Sequence, residues 1–210
     1  MSEGEFCYRY PRPAVTVDMA VFAWVDHSLR VLVIRRRGEP FAGCWALPGG
    51  FVEPEESFEA AARRELKEET SLTIRSPLRF VGVYGEPGRD PRGWTISIAH
   101  AVACRAQGRH VEGGDDAAET RWLPLDHPGE SLAFDHELIL SAAREVLKSE
   151  VERGRWGPAL LPTRFTPLEV RSMLRAVGVT TRTDVWLRRM IKFEAIRQDD
   201  DGCFDVLSRG

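Results

Sequence analysis

The sequence has little cysteine and no cysteine pairing pattern. Its 210 residues include four cysteines, and no two of them form a Cys-x-x-Cys pair. This spacing is untypical of a disulfide-stabilised secreted domain or of a zinc site. We therefore expect free thiols in a reducing compartment, at positions Cys7, Cys44, Cys104 and Cys203.

Long apolar runs and a strong net charge are also absent. No stretch approaches the roughly 18 apolar residues of a membrane-spanning helix, and the acidic start MSEGEF is untypical of a signal peptide. A cytoplasmic protein without a membrane segment is expected. The formal net charge is −3, so any affinity for nucleic acid must come from a local surface. The length suits one domain of about 150 residues with a small appendage, or two modest domains.

The most informative stretch runs from Gly50 to Leu72. Its segment from Phe58 to Thr70 contains good helix formers behind a suitable N-cap, Ser57. On the predicted helix, three glutamates at i, i+3 and i+4 share one face: Glu65, Glu68 and Glu69. Like charges at this spacing destabilise a helix, and carboxylate oxygens are ligands that suit Mg²⁺ or Mn²⁺. A balancing cation is the natural explanation.

A solvated acidic helix face is the competing interpretation, with nearby Arg and Lys side chains as ion-pair partners. For an isolated Glu-x-x-Glu-Glu it would be preferred. The whole string argues against it, because Gly50, Glu56, Arg64-Glu65-Leu66, Glu68-Glu69 and Leu72 follow one another at set intervals. The string resembles the signature of the Nudix hydrolases at every specified position except Ser71, where the family has glycine.

The resemblance implies a loop-helix-loop that binds a divalent metal. Glu65, Glu68 and Glu69 would be the metal ligands, Glu56 would assist, and Arg64 would hold the carboxylates in place. The resemblance also implies the fold class, α/β with a mixed sheet between helices. We assign the glycines of the preceding loop to substrate binding, Gly49 and Gly50.

Strand patterns surround this motif. Ala14 to Val25 and Leu29 to Ile34 predict a hairpin, and further strands are predicted over 72–74, 78–84, 95–104 and 120–125. Arg35, Arg36 and Arg37 end the second strand. The triplet is either a solvated strand end or a substrate contact, and we carry Arg35 as a candidate substrate-binding residue.

The loop Gly85–Gly93 contains EPGRDPRG, in which proline and glycine restrict the backbone. Arg89 and Arg92 carry planar guanidinium groups that match phosphate geometry, so we predict that they bind substrate. The alternative is a charged turn in which either arginine pairs with Asp90. GRDPRG between strands resembles the ADP-ribose branch of the Nudix superfamily.

An acidic loop, Glu112 to Glu119, precedes the strand predicted over 120–125. It is either an ordinary surface loop or, as the resemblance implies, a source of the carboxylate that approaches the catalytic water. The candidates are Asp116 and Glu119. A helix is predicted over 135–153, with Asp135 as its cap and an apolar stripe facing the sheet. His136, near its start, is predicted to be structural.

The composition changes at the segment RGRWGP, so we predict domains at 1–158 and 159–210. In the second domain, Thr166 to Glu169 forms a capping box before a helix that ends at Gly178, and another helix spans 183–193. A hairpin follows. This order is typical of a small winged-helix domain. The predicted DNA-binding residues are Arg182, Arg188 and Arg189.

The two halves together resemble Nudix-related transcriptional regulators of NAD metabolism. The resemblance implies a homodimer whose first half binds ADP-ribose and whose second half binds duplex DNA. An enzyme that cleaves the diphosphate of ADP-ribose and a regulator that senses it are therefore both open. The intact carboxylates favour hydrolysis, and the aspartates at 199–201 count against DNA binding. An accessory or dimerisation module is the remaining interpretation of the second half.

Overall fold

The computed structural model describes residues 9–106, 117–125 and 131–207. The first two thirds of the chain form a seven-stranded sheet with a helix on each face. The strands are β1 (Ala14–Val25), β2 (Ser28–Arg36), β3 (Trp45–Ala46), β4 (Gly49–Phe51), β5 (Arg79–Tyr84), β6 (Thr95–Ala103) and β7 (Ala117–Pro124). The helices are α1 (Phe58–Thr70) and α2 (His136–Glu152).

The sheet is mixed, as predicted. Its main path runs β3-β2-β1-β6-β5, while β4 pairs with β1 and β7 pairs with β2. β1 and β6 are parallel, and the other strand pairs are antiparallel. β1 lies centrally with both faces covered, which explains its nearly continuous apolar sequence.

Two apolar clusters cover the two faces of the sheet. Val17, Met19 and Val21 pack with α1 on one face, whereas Ala20 and Phe22 pack towards α2 on the other. Successive side chains of a strand point to opposite faces, so β1 supplies both clusters. The sheet therefore separates the face of α1 from the face of α2.

Helix α1 begins and ends as its sequence predicts. The Ser57 hydroxyl accepts a hydrogen bond from the Ala60 N–H at 3.2 Å, which satisfies one of the unpaired donors at the helix start. The helix ends at Ser71, which adopts a left-handed conformation with φ of 58°. Leu66 on the buried face packs against the sheet, whereas Glu68 on the other side is 45% exposed.

The strand predicted over 72–74 is wrong. Leu72 and Ile74 are buried against α1, but their segment joins no sheet. The Arg63 guanidinium donates instead to the carbonyl oxygens of Ile74 and Ser76. These side-chain bonds replace a strand ladder.

Helix α2 has nearly the predicted extent, and Asp135 lies at its N-cap position as predicted. The Asp135 side chain makes no capping hydrogen bond with the helix. It accepts two hydrogen bonds from Arg89 instead, at 2.9 and 2.5 Å. A charged bidentate partner competes more strongly for a carboxylate than a backbone N–H does.

The last third of the chain contains α3 (Gly157–Leu160), β8 (Arg164–Phe165), α4 (Pro167–Val177), α5 (Thr183–Lys192), β9 (Ile196–Gln198) and β10 (Phe204–Val206). The predicted order of helix, helix and hairpin is confirmed, and β8 adds a third strand in the order β8-β10-β9. The capping box of α4 is present, and Gly178 ends that helix with φ of 80°. None of the helices that the structure describes combines the length and apolar character needed to span a lipid bilayer.

Helix α5 packs against the end of α2. Trp186 is fully buried, and its indole N–H donates to the Val151 carbonyl at 3.1 Å. A side chain at Gly157 would overlap the Trp186 ring. One apolar cluster therefore continues from the sheet through α2 and α3 into α4 and α5. The predicted boundary after residue 158 falls within α3, and the division into two domains stays a prediction.

Candidate functional site

A cavity of about 440 Å³ opens where α1, β4, the loop 85–93 and the start of α2 meet. Its walls are mostly charged, with both carboxylates and guanidinium groups among the lining side chains. Eight residues singled out in the sequence line it: Gly49, Gly50, Arg64, Glu65, Glu68, Glu69, Arg89 and Arg92. The structure thus brings the Nudix-like string and the GRDPRG loop together.

The two glycines allow close approach of their backbone to two different elements. A Cβ atom at Gly49 would lie 2.1 Å from the Val17 carbonyl oxygen of β1, whereas one at Gly50 would lie 2.5 Å from the Glu65 carboxylate of α1. The Gly49 N–H donates to Glu69 at 2.9 Å. Neither position has room for a side chain, which explains the residue type at both.

Arg64 organises the carboxylates around it. Its guanidinium donates to Glu56 at 2.6 Å, to Glu65 at 2.8 Å and to Glu68 at 3.1 Å, and also to the Phe51 carbonyl at 3.0 Å. The hydrogen bond from Arg64 lowers the pKa of Glu56, and the same pairing raises the pKa of Arg64. The contacts agree with the predicted role of Arg64. Glu56 itself lies behind Arg64, outside the cavity lining.

The α1 carboxylates have the chemistry of a hard-cation site but are not gathered as one. Within the described ranges, no group of three His, Cys, Asp or Glu side chains is arranged to hold a metal ion. Arg64 lies between Glu65 and Glu68, which accounts for their separation. Burial raises the pKa of Glu65 despite the Arg64 contacts, so an additional positive charge would favour its ionised form. Glu68 is 45% exposed and can reorient, so the three oxygen donors fit Mg²⁺ or Mn²⁺.

A buried polar network in the cavity wall, formed by Asp18, Ser97 and His136, was not predicted from the sequence. Asp18 accepts a hydrogen bond from the Ser97 hydroxyl, and its Oδ1 atom lies 3.3 Å from His136 Nε2. His136 Nδ1 accepts the Leu47 N–H at 2.9 Å, which places the imidazole proton on Nε2, facing Asp18. Burial alone would raise the pKa of Asp18, but His136, Ser97 and Arg89 outweigh it and the pKa is lowered. The sequence contained one signal for this network, which is the single acidic residue Asp18 within the apolar strand β1.

Arg89 has more partners than its predicted substrate role requires. Besides its two hydrogen bonds to Asp135, its guanidinium lies 3.7 Å from Asp18, and its side chain is only 5% exposed. The alternative pairing with Asp90 is taken up by Arg92, which binds that carboxylate at 2.7 and 3.0 Å. Arg92 remains 41% exposed, so of the two arginines it is the more accessible to a ligand.

Besides Glu56, two predicted site residues lie outside the cavity. Arg35 and Glu119 are directly opposite each other on β2 and β7, and their side chains approach to 3.7 Å. Both are about half exposed. The following arginines of the triplet, Arg36 and Arg37, line the cavity instead. The other candidate, Asp116, lies outside the described residues.

The predicted DNA-binding residues differ in how exposed their side chains are. Arg182 and Arg188 are 80% and 72% exposed, and both pair with Asp184. Arg189 instead donates to the Glu152 carbonyl at 2.6 Å and is partly buried. Its position three residues after Trp186 turns it towards α2, so it is less accessible than Arg182 and Arg188, and its role in DNA binding stays a prediction.

The acidic hairpin turn is less negative than its sequence suggests. Arg164 on β8 donates to Asp199 at 2.6 Å and also to Asp201. Arg197 lies 3.8 Å from Asp199. These contacts offset part of the charge that the sequence counts against DNA binding.

Comparison with known proteins agrees with this geometry. A family model described as NUDIX domain matches residues 15–143. The ADP-ribose pyrophosphatase of Methanocaldococcus jannaschii is 44% identical over 131 residues, which are 62% of this chain and 73% of that protein.

Two further relatives extend over the last third of the chain. The ADPR responsive transcriptional repressor NtrR of Acinetobacter baylyi is 34% identical over 200 residues, 91% of this chain and 77% of that protein. The crystal structure of Shewanella oneidensis NrtR complexed with a 27mer DNA has a TM-score of 0.71 at 25% identity and covers 91% of both chains. With the matched family model and the glutamates of its signature assembled at one cavity, this chain belongs to the Nudix family of pyrophosphohydrolases.

Proposed function

We propose that this protein hydrolyses the diphosphate of ADP-ribose or of a related nucleoside diphosphate derivative, with Mg²⁺ or Mn²⁺ as cofactor. The observation that carries the proposal is the meeting of Glu65, Glu68 and Glu69 with the Gly49–Gly50 backbone in one charged cavity. The 44% identity to an ADP-ribose pyrophosphatase supports the substrate class.

Each residue of the cavity has a proposed role that follows from its position. Glu65, Glu68 and Glu69 would hold the metal, which supplies Lewis-acid polarisation of phosphate oxygens and a more acidic water when bound. Arg64 orients Glu65 and Glu68, whose carboxylates both accept hydrogen bonds from its Nη1 atom. Gly50 lets the β4 backbone lie directly against the Glu65 carboxylate. Hydrolysis of the bond between the two phosphates would release AMP and ribose 5-phosphate.

The guanidinium groups of the cavity suit the anionic ligand. Arg36, Arg37 and Arg92 line the same cavity as the glutamates, and guanidinium groups match phosphate oxygens in geometry and charge. A volume of about 440 Å³ lies within the usual range for small-molecule sites. The roles of Arg89 and Glu119 towards substrate stay predictions, because Arg89 is largely enclosed and Glu119 lies outside this cavity.

The deciding experiment is incubation of the protein with ADP-ribose and Mg²⁺, with chromatographic detection of AMP and ribose 5-phosphate. Omission of Mg²⁺ in the presence of a chelator is the control. Metal-dependent appearance of both products in equal amounts is expected. Stable ADP-ribose under all conditions would contradict the hydrolase proposal.

A second candidate function is an ADP-ribose-responsive DNA-binding regulator of NAD metabolism that acts as a homodimer. It is favoured by similarity to the repressor NtrR over 91% of the chain. The α4-turn-α5 unit exposes Arg171, Arg175, Arg182 and Arg188 on the side away from its apolar core. We infer that α5 would be the DNA-contacting helix of a winged-helix domain spanning 159–210. Hydrolysis and regulation share the ligand and do not exclude each other.

A further inference from the structure

An aromatic side chain stands at the mouth of the cavity, directly after the two glycines. Phe51 lines the cavity and is 47% exposed. Its position on β4, opposite Thr16 of β1, directs its side chain to the cavity face of the sheet, while Gly50 faces α1. An exposed phenyl ring beside a charged cavity loses hydrophobic stabilisation unless a partner covers it.

The backbone of Phe51 is held in place from α1. Its carbonyl oxygen accepts a hydrogen bond from Arg64 at 3.0 Å, and Arg64 also binds the glutamates of the proposed metal site. The ring is thus positioned relative to the carboxylates that would act on the diphosphate.

Arg92 and Phe134 form a column of side chains on one side of the Phe51 ring. The Arg92 guanidinium carbon lies 5.1 Å from the Phe51 ring centre and 5.7 Å from the Phe134 ring centre. Arg92 is fixed by hydrogen bonds to Asp90, a carboxylate that is only 4% exposed. A guanidinium held in this way orders the rings that it contacts through cation–π attraction.

At the far end of this column, Phe134 has a strained backbone conformation. Phe134 has φ of 55°, a conformation that bulky residues rarely adopt. Its ring contacts the Phe41 ring edge at a centroid distance of 4.7 Å, and Arg36 lies 4.8 Å from its centre. Strained residues persist where the surrounding contacts over-determine them, and such places are often ligand sites.

We propose that Phe51 is the stacking platform for the planar ring at the nucleoside end of the ligand. Arg92 is then a positioning residue that supports the ring, and Phe134 supports Arg92. The ligand class is a diphosphate that carries a heteroaromatic base, with the base on Phe51 and the diphosphate beside the α1 glutamates. This inference rests on the proposed function, since it assumes a nucleoside diphosphate ligand.

The test compares two ligands on three variants of the full-length protein. Phe51→Leu keeps an apolar side chain but removes the π face, whereas Phe51→Tyr keeps the ring. Phe58→Leu is the matched control, because Phe58 is 46% exposed at the start of α1 and does not line the cavity. Binding of ADP-ribose and of ribose 5-phosphate, which has no base, is measured by calorimetry with a chelator present to prevent turnover.

Phe51→Leu should weaken ADP-ribose binding by about 10-fold, in keeping with the loss of one base-aromatic stack. Phe51→Tyr and Phe58→Leu should bind it within about 2-fold of the wild-type protein. Affinity for ribose 5-phosphate should be the same in all four proteins. Unchanged ADP-ribose binding by Phe51→Leu, or an equal loss for both ligands, would overturn the platform while leaving the proposed function in place. A wild-type protein that neither binds ADP-ribose with the chelator present nor cleaves it with Mg²⁺ would overturn the proposed function itself, and the platform with it.

Discussion

Gly50 and Glu65 lie so close together that a Cβ atom on Gly50 would stand 2.5 Å from the Glu65 carboxylate. The loop of the Nudix signature and its helix are therefore in direct contact, although 15 positions separate the two residues. The glycine is required by this approach rather than by its backbone angles. Any side chain at position 50 must displace a proposed metal ligand.

Gly50→Ala should lower kcat/KM for ADP-ribose by about 100-fold, because small displacements of catalytic groups carry such costs. Gly38→Ala is the control, since Gly38 also lines the cavity but a Cβ there meets nothing within 4 Å. Steady-state kinetics and thermal unfolding of both variants check the prediction. Equal activity of the two variants would contradict the steric role of Gly50.

Glu68→Gln and Glu69→Gln should each reduce turnover by roughly 100-fold or more while the protein stays folded, because a hard divalent cation loses a charged oxygen ligand. Glu145→Gln removes a carboxylate from the exposed side of α2 and serves as control. Product formation is followed over a range of Mg²⁺ concentrations, with circular dichroism as the folding check. Wild-type turnover in either α1 variant would refute the assignment.

Ser71→Gly should stabilise the protein by up to about 1 kcal/mol, because glycine adopts the left-handed C-cap conformation without the Cβ strain of serine. Inside a helix, the same substitution should lower the stability, because glycine is the more flexible residue. Ser141→Gly in α2 should therefore lower the free energy of unfolding by about 0.5–1 kcal/mol. Urea unfolding measures both. A loss of stability in Ser71→Gly would reveal a favourable contact of the serine side chain.

Arg89→Lys and Arg92→Lys should affect different quantities. Arg89 is enclosed and bound by Asp135, so its replacement should lower the free energy of unfolding by about 1–3 kcal/mol through lost charged hydrogen bonds. Arg92 is more exposed, and Arg92→Lys should mainly raise KM for ADP-ribose. Urea unfolding and kinetics on both variants separate the effects. Unchanged KM and stability in both would reduce this loop to a charged surface turn.

The last third of the chain should bind duplex DNA as a dimer, with affinity that falls steeply with salt. If each protomer makes about 3–4 phosphate contacts, log affinity should change with log salt with a slope of roughly −5 to −7. Arg182→Ala and Arg188→Ala should each weaken binding, whereas Arg189→Ala should act mainly on stability through its bond to α2. Arg75→Ala, exposed elsewhere on the chain, is the control.

Fluorescence anisotropy on fragments of the gene's own upstream region, with and without ADP-ribose, checks these expectations. Release of DNA by ADP-ribose would support the regulator. Absence of salt-sensitive binding at low ionic strength would leave the last third as an accessory module.

Elements governed by neighbours in sequence could be predicted from the sequence alone. Helix α1 with its Ser57 cap and the capping box of α4 were both predicted and are confirmed. Each depends on residues within one or two turns, so local hydrogen bonding and backbone sterics determine it. The shared face of the three glutamates follows from helical periodicity in the same way.

Contacts between distant segments were decided only by the tertiary structure. Asp18 meets Ser97 and His136 because β1 pairs with β6 and α2 begins beside them, and Arg89 reaches Asp135 across 46 positions. The strand predicted at 72–74 is not formed, and the Ile74 carbonyl accepts a hydrogen bond from Arg63 of α1 instead. The sequence shows that charged residues such as Asp18 and Arg89 need partners of opposite charge. Several carboxylates and donors in the chain have the same chemistry. Only the tertiary structure determines which of them lies close enough to pair.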